Sequence, residues 1–204
     1  MQHTGAQHTE EHTTTGLNHR KMLMWVFLGS ECMFFGSLLA TYLVYYGQSV
    51  SGPLPGDVLD IPTTSVSTFV LLMSSLSMVM AYSNVAKGNV RNFRVWIICT
   101  ALLGATFLGF QIFEFRDFAV HSGLTPRTNL FGSTFFTLTG FHGAHVTVGV
   151  IWLVSLFLYS FKGDLTEQEG LTVDICALYW HFVDIVWIVI FTVVYLIGVS
   201  NSLV

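Results

Sequence analysis

Long apolar stretches separated by short polar segments form the dominant pattern along this chain. A hydrocarbon core of about 30 Å needs around 20 helical residues to cross it, and each stretch is at least that long. The hydrocarbon core offers no hydrogen-bond partner to unpaired backbone N–H and C=O groups, so the spans are expected to be helices. A β-barrel needs short alternating segments, which the sequence lacks. The pattern predicts an all-α bundle of five transmembrane helices at Met22–Tyr46, Ser65–Ala86, Phe93–Phe115, Leu130–Phe161 and Val173–Val199.

The polar segments define the domain organisation. Residues 1–21 form a polar, His-rich N-terminal tail, which is expected to be disordered because nothing in it can build a core. Residues 22–204 are expected to form one transmembrane domain without an internal repeat. The Pro- and Gly-rich segment Gly47–Thr64 is predicted to be an irregular loop.

Composition agrees with a membrane protein. Hydrophobic residues make up 52% of the 204 positions and charged residues only 10%, whereas a soluble domain carries about 25% charged residues. The net charge is −4 and no long basic stretch occurs, which excludes a nucleic-acid-binding surface.

The Lys and Arg residues are divided unequally between the two ends of the predicted spans. The positive-inside rule therefore places the N-terminus in the cytoplasm and the C-terminus outside. Such a chain would be a multi-pass membrane protein. Of the cations on the inner side, three are candidates for contacts with anionic lipid head groups: Arg20, Lys21 and Lys162.

Small residues four positions apart recur in four spans, where they can let helix backbones approach closely. The pairs predicted to pack in this way are Gly36 with Ala40, Ser77 with Ala81, Ala105 with Gly109, and Gly140 with Ala144.

Several ionisable residues lie inside the predicted spans, where they are costly and usually face a bundle interior. At about 1.5 Å of rise per residue, most of them fall in one layer, roughly 12–16 Å from the cytoplasmic side or near the midplane. This layer contains Glu31, His142, His145, His181 and Asp184. A second polar pair, Gln111 and Glu114, is predicted near the outer end of the third span.

The layer admits two interpretations from spacing alone. Glu31, His145, His181 and Asp184 can form one inter-helix hydrogen-bond network. Alternatively, His142 or His145 could pair with His181 as the axial ligands of a haem b in a membrane anchor. A small proton-coupled transporter is a third hypothesis, although the internal repeats and broken helices typical of transporters are not seen.

Four motifs in the same order resemble subunit III of the haem-copper terminal oxidases. The two longest are FGSTFFTLTGFHGAHVTVG at 131–149 and YWHFVDIVW at 179–187, and the others are LGSECMFF at 28–35 and QIFEF at 111–115. Together they cover nearly the whole chain. The chain resembles the short bacterial form with five helices, because the first two helices of the longer members are missing.

This resemblance implies an accessory subunit with no active site of its own. The family's subunit III binds no haem or copper, packs on the catalytic subunit I beside subunit II and in some complexes subunit IV, and binds phospholipid in a cleft. It supports proton uptake and the durability of the catalytic subunit. By resemblance, Glu31 is the carboxylate lining that cleft, His142 and His145 are the family's histidine pair, and His181 and Asp184 lie in the last helix. The motif at 179–184 favours a cytochrome c oxidase, with a quinol oxidase as the alternative.

Overall fold

The computed structural model describes residues 18–49, 52–161 and 167–198, and every regular element within these ranges is helical. Five helices are long and apolar enough to cross a membrane, which confirms the predicted all-α architecture with five spans. Residues 1–17 of the His-rich segment and Lys162 lie outside the described residues. The elements are α1 (His19–Tyr45), α2 (Pro55–Val58), α3 (Ile61–Ala86), α4 (Val90–Val120), α5 (Leu130–Tyr159) and α6 (Glu167–Ile190), which continues as a π-helical segment, Phe191–Ile197.

Four helices start earlier than the hydrophobic pattern predicts, and polar capping side chains open two of them. The Asn18 side chain accepts a hydrogen bond from the backbone of Arg20 at 3.0 Å, so α1 begins at His19 instead of Met22. In the same way, Asn89 accepts from Asn92 at 3.2 Å and opens α4. The α3 helix starts at Ile61 with Pro62 in its first turn. The backbone N–H groups of a first turn have no acceptor within the helix, so proline, which lacks the N–H, is tolerated there. The predicted loop 47–64 therefore contains α2 and the start of α3.

The other ends also differ from the prediction. The α4 helix runs five residues beyond Phe115, through a polar turn in which Asp117 contacts His121 at 2.7 Å. The α5 helix ends at Tyr159, because Arg94 donates to the Ser160 hydroxyl and carbonyl and lies 4.5 Å from the Phe161 ring. A cation beside the last carbonyl groups favours a helix end. The fifth span begins six residues before Val173, and its described part ends at Gly198.

Two tryptophans of α6 fill the centre of the bundle. Trp180 donates to the Ser74 hydroxyl at 3.0 Å and Trp187 to the Thr68 hydroxyl at 2.9 Å, which fixes α6 against α3. The Trp180 ring also occupies the space where Cβ atoms of Gly104 on α4 and Gly149 on α5 would be. Four helices therefore meet around one indole ring.

Most of the small-residue pairs do not pack inside the described bundle. Only Ser77 and Ala81 are buried, against α4, as predicted. Three pairs lie on the outer surface of the described bundle, with open space around the glycines, so they do not pack against another helix of this chain: Gly36 with Ala40, Ala105 with Gly109, and Gly140 with Ala144. Neighbouring side chains or backbone instead pack closely against Gly104, Gly132, Gly143 and Gly149, in the space that a Cβ atom would take. Spacing identifies small faces, but it does not say which helix covers them.

The α1 helix is held by a narrow stripe. Its buried residues are Leu28, Phe35 and Tyr42, seven positions apart, and they face α5 and α6. Near the start of α1, Lys21 forms an ion pair with Asp174 of α6 at 2.6 Å. The rest of the helix surface is half-buried or exposed, and it is largely apolar.

Candidate functional site

The predicted polar layer divides into two separate groups and one isolated residue. Glu31 pairs with His145, whereas His181 and Asp184 meet Ser75. His142 has no hydrogen-bond partner among the described residues. The single network expected from the sequence is therefore not found among these side chains, because His145 and Asp184 point to different neighbouring helices.

The Glu31–His145 pair joins α1 to α5. His145 Nε2 lies 3.1 Å from Glu31 Oε2, and His145 Nδ1 lies 2.7 Å from the Phe141 carbonyl oxygen. A carbonyl oxygen only accepts, so Nδ1 carries a hydrogen. The contact to Glu31 then holds one further hydrogen, either on the carboxyl or on Nε2. In both arrangements the pair is neutral overall, which suits its place within a membrane span.

An open cleft lies over this pair, between α1 and the facing sides of α5 and α6. Its volume is about 510 Å³, and its walls are mainly apolar and aromatic. The Tyr179 hydroxyl donates to the His145 carbonyl oxygen at 3.0 Å and fixes the wall of α6 against α5. The residues that define the cleft for the argument below are Phe27, Phe141, Trp152 and Tyr179, with Glu31 and His145 as its polar pair.

The second polar group joins α6 to α3. The Ser75 hydroxyl lies 2.9 Å from His181 Nδ1 and also interacts with the Asp184 carboxyl group. The second oxygen of that carboxyl group, Oδ1, has no partner among the described residues. Two ionisable residues predicted as a pair thus share one serine that the sequence analysis did not single out.

His142 lies at the centre of the bundle and is completely buried. Its ring stacks on Trp187 at a centroid distance of 4.9 Å and meets the Phe107 ring edge-on at 5.8 Å. Neither ring nitrogen has a hydrogen-bond partner within the described part of the chain. Within the described residues its ring therefore packs against aromatic side chains and forms no hydrogen bond.

Gln111 and Glu114, predicted near the outer end of the third span, are buried between helices. The Gln111 side chain donates to the Thr139 carbonyl oxygen at 2.7 Å and fills the space beside Gly143. Glu114 receives a hydrogen bond from Thr64 at 2.5 Å. The α4 helix continues beyond Phe115 to Val120, so both residues lie within the helix and not at its last turn.

Hydroxyl residues of α3 are the functional partners that the sequence analysis missed. The helix carries a buried stripe of them with the three- and four-residue spacing of one helix face. That periodicity was readable in the sequence and could have predicted a polar, buried face on this helix, although not which helices it contacts. Its members are Thr64, Ser67, Thr68, Ser74 and Ser77, with Ser75 beside them.

Metal-binding groups do not converge in the described residues. No set of three His, Cys, Asp or Glu side chains lies close enough to hold a metal ion there. Both ring nitrogens of His145 are already engaged, and His181 is bound to Ser75.

Of the predicted head-group contacts, Lys21 is paired with Asp174, and Arg20 lies exposed in the first turn of α1.

Comparison with known proteins identifies the family. Residues 3–199 match the family model described as cytochrome c oxidase subunit III. The chain belongs to this family. It is 41% identical to the quinol oxidase subunit 3 of Bacillus spizizenii, over 87% of this chain and 86% of that protein. Identity to the cytochrome c oxidase subunit 3 of Bacillus sp. strain PS3 is 38%, over 93% and 91% of the two chains. The cytochrome bo(3) ubiquinol oxidase subunit 3 of Pseudomonas aeruginosa is 37% identical, over 94% and 91%.

Membership of the cytochrome c oxidase subunit III family confirms the resemblance seen in the four motifs. It makes the chain a multi-pass membrane protein and a member of an oxidase complex with other subunits. The relatives are named for both cytochrome c and quinol oxidases at similar identity, so similarity does not separate the two types.

Proposed function

We propose that this chain is the non-catalytic subunit III of a haem-copper terminal oxidase in a bacterial plasma membrane. It packs directly on subunit I, beside subunit II and, in a four-subunit complex, subunit IV. The proposal rests on the cleft between α1 and the facing sides of α5 and α6. Its polar pair, Glu31 and His145, faces apolar walls, and the described residues there form no cluster that could hold a metal ion.

Phospholipid is the proposed occupant of the cleft. Aromatic and aliphatic walls of this volume suit acyl chains, whereas the described lining contains no Lys or Arg for a phosphate. The head group would then lie beyond the cleft, toward the first turn of α1, where Arg20 is exposed. The Lys21–Asp174 ion pair joins α1 to α6 near the start of α1. Lipid between these helices would complete the packing that α1 lacks.

The absence of a redox centre in this chain is part of the proposal. Haem and copper would be held by partner subunits. Two observations support this: both nitrogens of His145 are engaged by Glu31 and the Phe141 carbonyl, and the His142 ring is enclosed between aromatic side chains. The subunit would then act on turnover through contact, lipid and proton supply.

A copurification experiment tests the proposal. The chain is tagged at one terminus and purified from membranes in mild detergent. We expect it to bring down a larger subunit that carries haem and copper, with the visible spectrum belonging to that partner. A Soret band that stays with the isolated chain and disappears in His181→Ala would favour a haem-carrying anchor instead. Oxidation of reduced cytochrome c or of a quinol by the same preparation identifies the donor, for which cytochrome c is the expected one.

Cysteine labelling tests the proposed orientation. The three native cysteines are first replaced by serine or alanine, and single cysteines are introduced at Gln48, after α1, and at Asn89, before α4. With the N-terminus inside, an impermeant thiol reagent should label position 48 from the outside and position 89 only after the cells are opened. The reverse pattern would contradict the positive-inside assignment.

A further inference from the structure

The polar group formed by His181, Ser75 and Asp184 opens at the surface of the bundle through one atom. The Ser75 hydroxyl lies 2.9 Å from His181 Nδ1 and also bonds the carboxyl group of Asp184, a residue only 5% exposed. His181 itself is half-buried. Its other ring nitrogen, Nε2, has no hydrogen-bond partner among the described residues, and they do not enclose it either. This nitrogen therefore faces outward where α6 meets α3.

Nε2 carries a hydrogen when the group is neutral overall, as a place inside a membrane span favours. If Asp184 is protonated and donates to Ser75, the hydroxyl donates to Nδ1 and the ring keeps its hydrogen on Nε2. If Asp184 is ionised, the ring is positively charged and both nitrogens carry hydrogens. A neutral ring with its hydrogen on Nδ1 would leave a hydrogen of Ser75 or of Oδ1 without an acceptor in the described chain. The atom presented at the surface is thus a donor.

His181 lies deep within its span. The span Gly170–Ile197 contains 28 residues, and His181 follows its first residue by eleven. At about 1.5 Å per residue, the ring is roughly 16 Å from one end of the helix and roughly 24 Å from the other. A hydrocarbon core of about 30 Å centred on this helix encloses it. Acyl chains carry no hydrogen-bond acceptor, so lipid around the protein leaves this N–H unpaired.

Apolar side chains surround the donor on both helices. On α6, Ile185 and Ile188 follow the histidine with the spacing of one helix face, and on α3, Leu72 and Val79 flank Ser75 in the same way. These four apolar side chains are 39–58% exposed, so the described chain leaves them largely uncovered. Together with the histidine they define the α3–α6 face.

Two outward-facing hydroxyl groups on other helices differ from this donor, because they need no external partner. The Ser37 hydroxyl on α1 donates to the Phe34 carbonyl oxygen at 2.7 Å, and the Thr106 hydroxyl on α4 donates to the Leu102 carbonyl oxygen at 2.8 Å. Lipid can cover these hydroxyl groups without leaving a donor unpaired. The N–H of the α3–α6 face has to be met from outside the described chain.

We propose that the α3–α6 face docks a transmembrane helix of subunit I, and that an oxygen on that helix accepts a hydrogen bond from Nε2 of His181. The apolar side chains on either side pack against the docked helix, and the histidine fixes its depth and rotation. The inference rests on the proposed function for the identity of the partner, whereas the unpaired donor belongs to this chain.

Photocrosslinking in the intact membrane tests the docking. The photoreactive residue p-benzoylphenylalanine replaces Ile185 in a tagged chain, the cells are irradiated, and the tagged products are purified and identified by mass spectrometry. We expect a crosslink to a transmembrane segment of the haem-carrying subunit. Crosslinks to lipid alone, or to a second copy of this chain, would overturn the docking, while copurification of the haem-carrying subunit would leave the proposed function standing. If no such subunit copurifies, the proposed function itself fails.

A matched pair of His181 variants tests the hydrogen bond. Both lose the bond from Nδ1 to Ser75, but His181→Gln keeps an N–H group that reaches the Nε2 position, whereas His181→Phe does not. Retention of the chain on the haem-carrying subunit is measured through a series of detergent washes. We expect His181→Phe to weaken the association by about fivefold or more, because the partner's oxygen is left unpaired, and His181→Gln to retain most of it. Equal losses in the two variants would overturn the role of the donor. Should His181→Phe fail to assemble, the crosslink from position 185 decides.

Discussion

Gly149→Ala should destabilise the bundle, because α5 has no room for a methyl group at this position. A Cβ atom at Gly149 would lie 2.8 Å from two atoms of the Trp180 ring, about 0.7 Å short of a favourable carbon contact. The indole cannot retreat easily. Its far edge already fills the Cβ position of Gly104, and its nitrogen is bound to Ser74.

The expected cost follows from two opposing effects. Overpacking a close-packed core costs about 1–3 kcal/mol, and replacing glycine by alanine in a helix recovers up to about 1 kcal/mol. A net loss of about 1–2 kcal/mol corresponds to a fall in Tm of roughly 2–8 °C at about 2–4 °C per kcal/mol for a chain of this size. Thermal unfolding of the purified complex, followed by intrinsic fluorescence or circular dichroism, measures it.

A matched control lies on the same helix. Gly140 has nothing within 4 Å of its Cβ position, so Gly140→Ala should leave Tm unchanged or slightly higher. In a Trp180→Phe background the smaller ring should remove most of the cost of Gly149→Ala. Equal Tm shifts for the two alanine variants, or an undiminished cost in the Trp180→Phe background, would refute the packing argument.

The remaining predictions concern polar contacts of α1. Glu31→Gln should leave thermal stability nearly unchanged, since the amide can donate to Nε2 of His145 and keep the pair neutral. Glu31→Leu should cost about 1–3 kcal/mol, because it leaves that nitrogen unpaired. Equal losses of stability in the two variants would contradict the interpretation that the pair shares a hydrogen. Lys21→Glu should weaken the contact of α1 with α6, and the exchanged pair Lys21→Glu with Asp174→Lys should restore it. Crosslinking yield between cysteines on the two helices measures this, and a failure of the exchanged pair to recover would show that the ion pair does not hold the helices.

The architecture was predictable because lipid imposes one simple requirement on the sequence. Apolar runs long enough to span the core identified all five helices. Hydropathy predicted the ends of the helices less accurately. Asn18 and Pro62 are polar or loop-forming residues by composition, and their capping roles depend on local backbone geometry.

Partners of the buried groups could not be obtained from spacing within single helices. His145 and Asp184 lie at one level, yet one points to Glu31 on α1 and the other to Ser75 on α3. The rotation of each helix about its axis decides this, and that rotation follows from packing around Trp180. For the same reason Gly149 packs internally, whereas Gly140 on the same helix faces outward.

Oxygen consumption over many turnovers, with and without this subunit, tests the central claim most directly. The oxidase is purified from cells that express or lack the chain, and the haem spectrum is recorded before the reaction. If the chain is a non-catalytic subunit III, the spectrum should be nearly unchanged and the initial rate normal, followed by progressive loss of activity during turnover and slower proton uptake at high pH. An immediate and complete loss of oxygen reduction, with the large subunit and its haems intact, would contradict the account, because it would give this chain a direct part in the chemistry.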